Sequence, residues 1–155
     1  MDSNLKKQTF EPTPMQLFLA AILLQALLAY FVPDPALMQG RVRLIGLLPI
    51  VSGLMLTIVA ERQFRAAGTA VCPHQKATLL VRRGCFGYSR NPMYLGLIAV
   101  LAGIGILLGA VAAVAVAALF AAVLALYFVP REEAMLSTLF GKDYAEYSQQ
   151  VRRWL

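Results

Sequence analysis

No charged residue interrupts the chain from Met15 to Val32, from Leu44 to Ala60, or from Met93 to Val129. One helix needs about 20 apolar residues to cross the hydrocarbon core of a bilayer. The first two runs suit one crossing each, and the third suits two. Such blocks constrain the fold more than any other feature, because inside lipid every backbone polar group must find a partner within the protein. They predict an all-α integral membrane bundle of about four transmembrane helices, over residues 15–32, 44–60, 93–108 and 110–129. A connection at 61–92 and helices within 131–155 complete one domain spanning 1–155. With 59% hydrophobic residues and a mean hydropathy of +0.67, an ordinary soluble domain is excluded.

The breaks between the blocks carry the turn chemistry. Residues 1–14, with Pro12 and Pro14, read as a short polar lead. Pro33-Asp34-Pro35 closes the first span. Gln25, a strongly polar residue in the middle of that span, is expected to face another helix. Pro49 and Gly53 predict a kink in the second span, and Glu61-Arg62 marks its exit. Thr78 to Val81 reads as a short extended piece. The third and fourth spans meet almost without a loop and form an antiparallel hairpin. Gly105 and Gly109 give a GxxxG match that permits close packing and homodimer contacts. Pro130 is expected to close the fourth span. A helix over 131–140 capped by Gly141 then precedes a last helix, in which Asp143 and Glu146 have capping-box spacing. Tyr144, Tyr147 and Val151 share one face of that helix. Arg152, Arg153 and Trp154 suit an interfacial anchor.

The formal charge of +6 sits beside the apolar blocks, which argues against nucleic acid as a partner and for membrane flanks. The connection holds Arg62, Arg65, Lys76, Arg82, Arg83 and Arg90 against the single acid Glu61. With Lys6, Lys7 and the basic tail it outweighs Arg41 and Arg43 on the opposite side. The positive-inside rule therefore places both termini and the connection in the cytoplasm. Cys72 and Cys85 form no CxxC pair, and His74 cannot complete a zinc set with them, so free thiols and no metal are expected.

Two polar clusters are candidates for chemistry. Gly84 to Gly96 is turn-rich and contains Arg90-Asn91-Pro92-Met93-Tyr94, and Arg131-Glu132-Glu133 follows the hairpin. Adjacent helical residues are rotated by about 100°, so one glutamate can face a pocket while the other faces Arg90, Arg131 or water. Phe86, Tyr88 and Tyr94 are candidates for an aromatic wall. The plain alternatives are a solvated acid pair, a topogenic arginine and a belt aromatic.

Arg90-Asn91-Pro92-Met93-Tyr94-Leu95-Gly96, an apolar hairpin, Glu132-Glu133, Phe140 to Tyr147 and Val151-Arg152-Arg153-Trp154 follow one another in order. This series resembles the isoprenylcysteine carboxyl methyltransferase and phospholipid methyltransferase superfamily over about residues 64–155. The resemblance implies an integral membrane enzyme using S-adenosylmethionine to methylate a lipophilic small-molecule or lipid acceptor. It places the family's Arg-His-Pro-x-Tyr motif on Arg90, Asn91, Pro92 and Tyr94, with Asn91 in place of histidine. Further cofactor contacts fall on Phe86, on Thr78, Leu79, Leu80 and Val81, and on the acidic pair, with Glu132 preferred over Glu133. Arg90, Glu132 and Glu133 are the implied catalytic residues. Distant relatives include membrane sterol reductases, so an NADPH-dependent reductase is the enzymatic alternative. A non-catalytic membrane assembly protein is the other.

Overall fold

The computed structural model describes residues 12–32, 40–68 and 79–155. Expectations for Lys6, Lys7, Pro33 to Pro35, Cys72, His74, Lys76 and Thr78 lie outside the described residues. Helix α1 spans Pro14–Phe31, and a 3-10 stretch over Gly40–Gly46 leads into α2, Leu47–Ala66. Helix α3 is Pro92–Leu108 and α4 is Val111–Val123; a π-helical stretch, Leu124–Phe128, leads into α5, Val129–Phe140, and α6 is Lys142–Gln150. No strand occurs among the described residues.

Three helical runs are long and apolar enough to cross a membrane: Pro14–Phe31, Gly40–Ala66 and Val111–Phe140. The fourth apolar helix, α3, is shorter at 17 residues and is the central one, packing on α1, α2 and α4. Leu19, Leu23, Leu48, Met55, Leu119 and Leu126 point outward. In water such a surface would aggregate, whereas in a bilayer it is the solvent-matched face.

The closest helix contact is set by glycines seven residues apart on two antiparallel helices. Gly46 faces Gly103 and Gly53 faces Gly96. A methyl group at Gly53 would lie 2.5 Å from the Gly96 carbonyl, and one at Gly103 would lie 2.5 Å from that of Gly46. Small residues permit this approach, and packing is the main source of helix association in lipid. The GxxxG pair serves a different purpose. Gly105 lies against the α4 backbone at Val114, while Gly109 ends α3 with φ of +70° beside the Arg43 guanidinium. Both glycines are thus used within the chain.

Gln25 meets the expectation of an inter-helix role. It is fully buried and donates from Nε2 to the carbonyls of Leu101 (2.9 Å) and Ala113 (2.8 Å), tying α1 to α3 and α4. Helix α1 begins at Pro14, with Thr13 and Gln16 forming a reciprocal capping box.

Three expectations are corrected. Pro130 does not close the fourth span, because it falls in the first turn of α5 and the helix runs on to Phe140. The π-helical stretch just before it shifts the hydrogen-bond register, so a residue without an N–H can be carried. Glu61 does not end α2, which continues to Ala66 with Arg65 paired to Glu61 one turn back. The capping box at Asp143 does not form. Gly141, at φ of +51°, both ends α5 and starts α6, so Asp143 already lies inside the first turn. The 3-10 to α transition sits at Gly46-Leu47, ahead of Pro49, which occupies the first turn of α2, where a missing N–H costs little.

Candidate active site

The candidate residues gather at one end of the bundle. The end of α2, the segment before α3, the start of α5 and the C-terminal tail converge there. Pro92 opens α3, since its fixed φ suits a first turn, and this aims the preceding residues toward α5 and the tail. The first turn of α3 then presents Tyr94 to α5, where its hydroxyl bonds to Oε1 of Glu132.

Glu132 and Glu133 diverge as the helical rotation requires. Glu133 accepts from Arg90 Nη1 at 2.9 Å and from Arg153 through Nε at 3.1 Å and Nη2 at 2.6 Å. The Glu133 and Arg90 side chains are only 17% and 15% exposed, so this pair is largely withdrawn from water, while Arg153 closes it from the more exposed side. Its Coulomb attraction is correspondingly less screened than that of a surface pair. Arg90 also donates from Nη1 to the Tyr144 hydroxyl at 3.2 Å and from its backbone N–H to the Arg152 carbonyl at 3.0 Å. Its Nε is buried without a hydrogen-bond partner among the described residues. Asn91 donates from Nδ2 to the Arg153 carbonyl at 2.9 Å. Asparagine can make this bond but cannot act as a base.

The segment before α3 is fastened from two sides. A 3-10 turn over Gly84–Gly87 buries Phe86 edge-on against Phe64, with ring centroids 4.7 Å apart. Gln63 accepts from the Cys85 backbone N–H (3.2 Å) and thiol (3.0 Å). This approach needs glycine at 84, where φ is +67° and a Cβ would strike the Gln63 side chain. From the other side, the Tyr147 hydroxyl donates to the Phe86 carbonyl at 2.7 Å. Leu80 packs on the Tyr144, Tyr147 and Val151 cluster that the sequence spacing predicted. Leu79 is exposed and Val81 half-buried; both are irregular, without the extended piece forming a strand. Tyr88 points to solvent and Phe86 is buried, so an aromatic wall of Phe86, Tyr88 and Tyr94 does not form.

Electrostatics follow the burial. Burial pushes the Tyr147 phenol up to about 12. The Tyr144 phenol is also raised, first by burial and then by Glu133, against the opposing pull of Arg90 and Arg153. Burial raises the Cys85 thiol. Hydrogen bonding to Glu133 holds the Arg153 guanidinium above its usual range. Among the described residues no group of three or more His, Cys, Asp or Glu side chains gathers to hold a metal.

Gln63, Phe64 and Arg153 are the residues that sequence reasoning missed as parts of this site. The first two were assigned to a loop because Glu61-Arg62 looked like a membrane exit. Arg153 was read as an anchor charge. No spacing rule links it to Glu133, 20 residues earlier across a helix break.

The arrangement offers a carboxylate with spare acceptor capacity beside a phenol, next to a fixed guanidinium–carboxylate–guanidinium group, at the mouth of an apolar bundle. A family model described as phospholipid methyltransferase matches residues 42–143. The match covers most of the chain, including α2, α3, α4, α5 and both polar clusters, and the chain belongs to this family. No curated protein matches the chain, and no solved structure does.

Proposed function

We propose that this integral membrane member of the phospholipid methyltransferase family transfers a methyl group from S-adenosylmethionine to a lipophilic, membrane-embedded acceptor of the phospholipid or isoprenylcysteine type. The observation that carries the reading is the division of labour within the acidic pair. Glu133 is engaged on both oxygens by arginines, while among the described residues Glu132 is bonded to the neutral phenol of Tyr94. A carboxylate offers about four lone-pair sites, and one hydroxyl leaves most of them for a ligand.

The residues present fit the cofactor's chemistry. When bound, S-adenosylmethionine supplies an electrophilic methyl group on a cationic sulfur. Glu132 would hold its amino group or ribose hydroxyls, with Tyr94 fixing the carboxylate's orientation. The buried Nε of Arg90 lacks an acceptor among the described residues and would suit the cofactor's carboxylate. Asn91, Pro92 and Phe86 would shape the floor of the site through the contacts given above. Positioning of this kind can supply much of the acceleration of a displacement reaction.

An acceptor would arrive from the bilayer. An apolar groove lined by Leu17, Leu119, Val123, Leu126, Tyr127 and Phe128 reaches within about one helical turn of Glu132 and would admit a hydrocarbon chain. The charge distribution supports a cytoplasmic site with both termini on that side. Arg62, Arg82, Arg83, Arg90, Lys142 and Arg153 belong to its end of the molecule, whereas Arg43 lies by Gly109 at the other.

The test is equilibrium binding of S-adenosylmethionine, with NADPH alongside, to detergent-purified wild type, Glu132→Ala and Tyr94→Phe. Saturable S-adenosylmethionine binding should weaken at least about tenfold in Glu132→Ala, the loss expected of one charge-assisted contact. Tyr94→Phe should show a smaller loss. Binding of NADPH alone would favour a reductase. Unchanged affinity in Glu132→Ala would refute the assigned role.

A further inference from the structure

We propose that Arg153 is a positioning residue for this site, and that the C-terminal segment Val151–Leu155 is the strap that sets Arg90 and Glu133 relative to each other. The proposal rests on the methyltransferase reading and adds to it a residue outside the two polar clusters.

Arg153 touches both halves of the site with different parts of itself. Its carbonyl accepts from Asn91 Nδ2 at 2.9 Å and from Ser89 Oγ at 3.4 Å, fixing the entry to α3. Its guanidinium grips Glu133 on α5 through both Nε and Nη2. The neighbouring Arg152 carbonyl takes the Arg90 backbone N–H. One short piece of chain thus bonds to both elements and braces the direct Arg90–Glu133 contact between them.

The geometry also explains why a single arginine would not suffice. Arg90 reaches Oε1 of Glu133, and Oε2 is bonded by Arg153 at 2.6 Å. Without Arg153 the carboxylate is free to turn about its terminal bond, and Arg90 can follow it. With Arg153 forked across both oxygens the carboxylate plane is fixed, and Arg90, which shares Oε1, is held with Nε inward. A fork suits this task better than an ammonium, which keeps the charge but holds the orientation less firmly.

The strap is anchored on both sides of Arg153. Val151 is buried with Tyr144 and Tyr147 on one side of Arg153. Trp154 packs against the bundle core on the other, in the cluster that also receives Tyr94 and Phe128. Two apolar anchors flanking the arginine reduce the entropy lost in holding the ion pair, a main reason that exposed ion pairs are weak.

The test uses the full chain with Arg153→Ala, Arg153→Lys, Glu133→Ala, Glu133→Gln and the Glu133→Gln/Arg153→Ala double variant. S-adenosylmethionine affinity, unfolding midpoint and the emission of Trp154, the only tryptophan in the sequence, are measured for each. Arg153→Ala should weaken S-adenosylmethionine binding by about tenfold, in line with the cost of misplacing a binding group. Arg153→Lys should recover part of this, with little change in unfolding midpoint. The double variant should bind no worse than Glu133→Gln alone, because Arg153 acts through Glu133. Glu133→Ala should shift Trp154 emission to the red as the strap loosens, a readout that needs no cofactor.

Wild-type affinity in Arg153→Ala overturns the proposal. So does equal loss in the Ala and Lys variants accompanied by a lower unfolding midpoint, which assigns Arg153 to bulk stability. If wild type binds no S-adenosylmethionine, the methyltransferase reading fails by itself. Trp154 emission in Glu133→Ala still decides the strap, and an unchanged spectrum overturns it.

Discussion

Replacing Gly53 by alanine should destabilise the protein, against the sign that helix propensity alone dictates. Alanine is favoured over glycine inside a helix by about 0.8–1.0 kcal/mol. At Gly53 the added Cβ would sit 2.5 Å from the Gly96 carbonyl and 3.0 Å from both Ala99 Cβ and Val100 Cγ2. Ordinary contact begins near 3.4 Å, so α2 and α3 must part by about 0.9 Å, and the first obstacle is backbone that cannot rotate away. Overpacking of this kind costs about 1–3 kcal/mol. After subtraction of the propensity gain, a net loss of up to roughly 2 kcal/mol is expected. Gly96→Ala should behave alike, since its Cβ would meet the Gly53 carbonyl at 2.6 Å and the Thr57 hydroxyl. The two changes oppose each other across one contact, so the double variant should lose less than the sum. Reversible unfolding in mixed detergent measures all three, with Ser52→Ala on the exposed side of α2 as the control. Stabilisation of Gly53→Ala by about 1 kcal/mol, or strict additivity in the double variant, would refute the reasoning.

Tyr147 gives a pH-dependent prediction. Its phenol is ordinary near 10 when unfolded and about 12 when folded, so its contribution is fully present below pH 10 and is lost as pH rises toward 12. The loss should total roughly 2–3 kcal/mol in unfolding measured across that window, and Tyr147→Phe should flatten it. Cys85 gives another. Its thiol is raised by burial and bonded to Gln63, so maleimide labelling at pH 8 in a Cys72→Ser background should be several-fold slower than for a free thiol. Gln63→Ala should accelerate it, and labelling at the free-thiol rate in the background protein would refute the burial argument.

The tail end of the site was only partly legible in the sequence. The recurrence of Tyr144, Tyr147 and Val151 identified the buried face of α6, because helical spacing is local information. The divergence of Glu132 from Glu133 was legible for the same reason. Arg90 was legible as a partner for one of them, and it pairs with Glu133, but the Tyr94 and Arg153 contacts were not. Tyr94 meets Glu132 across 38 residues, and Asn91 meets the Arg153 carbonyl across 62. The Pro130 expectation failed because a proline rule that holds for ordinary helices takes no account of a π-helical stretch arriving just before it.

By itself the sequence determined that the chain is a helical membrane protein, which segments are apolar, where the polar clusters lie and which family pattern they follow. Those properties depend on composition over about 20 residues and on motif order, both of which are written along the chain. Only the tertiary structure decided which glycines bring α2 and α3 together, which glutamate is engaged by arginines and that the C-terminal tail joins the two clusters. Contacts between segments depend on helix rotation and register, and a shift of one residue turns a side chain by about 100°. Gly53 and Gly96 are ordinary glycines in the sequence and become a contact only when two antiparallel helices place them face to face.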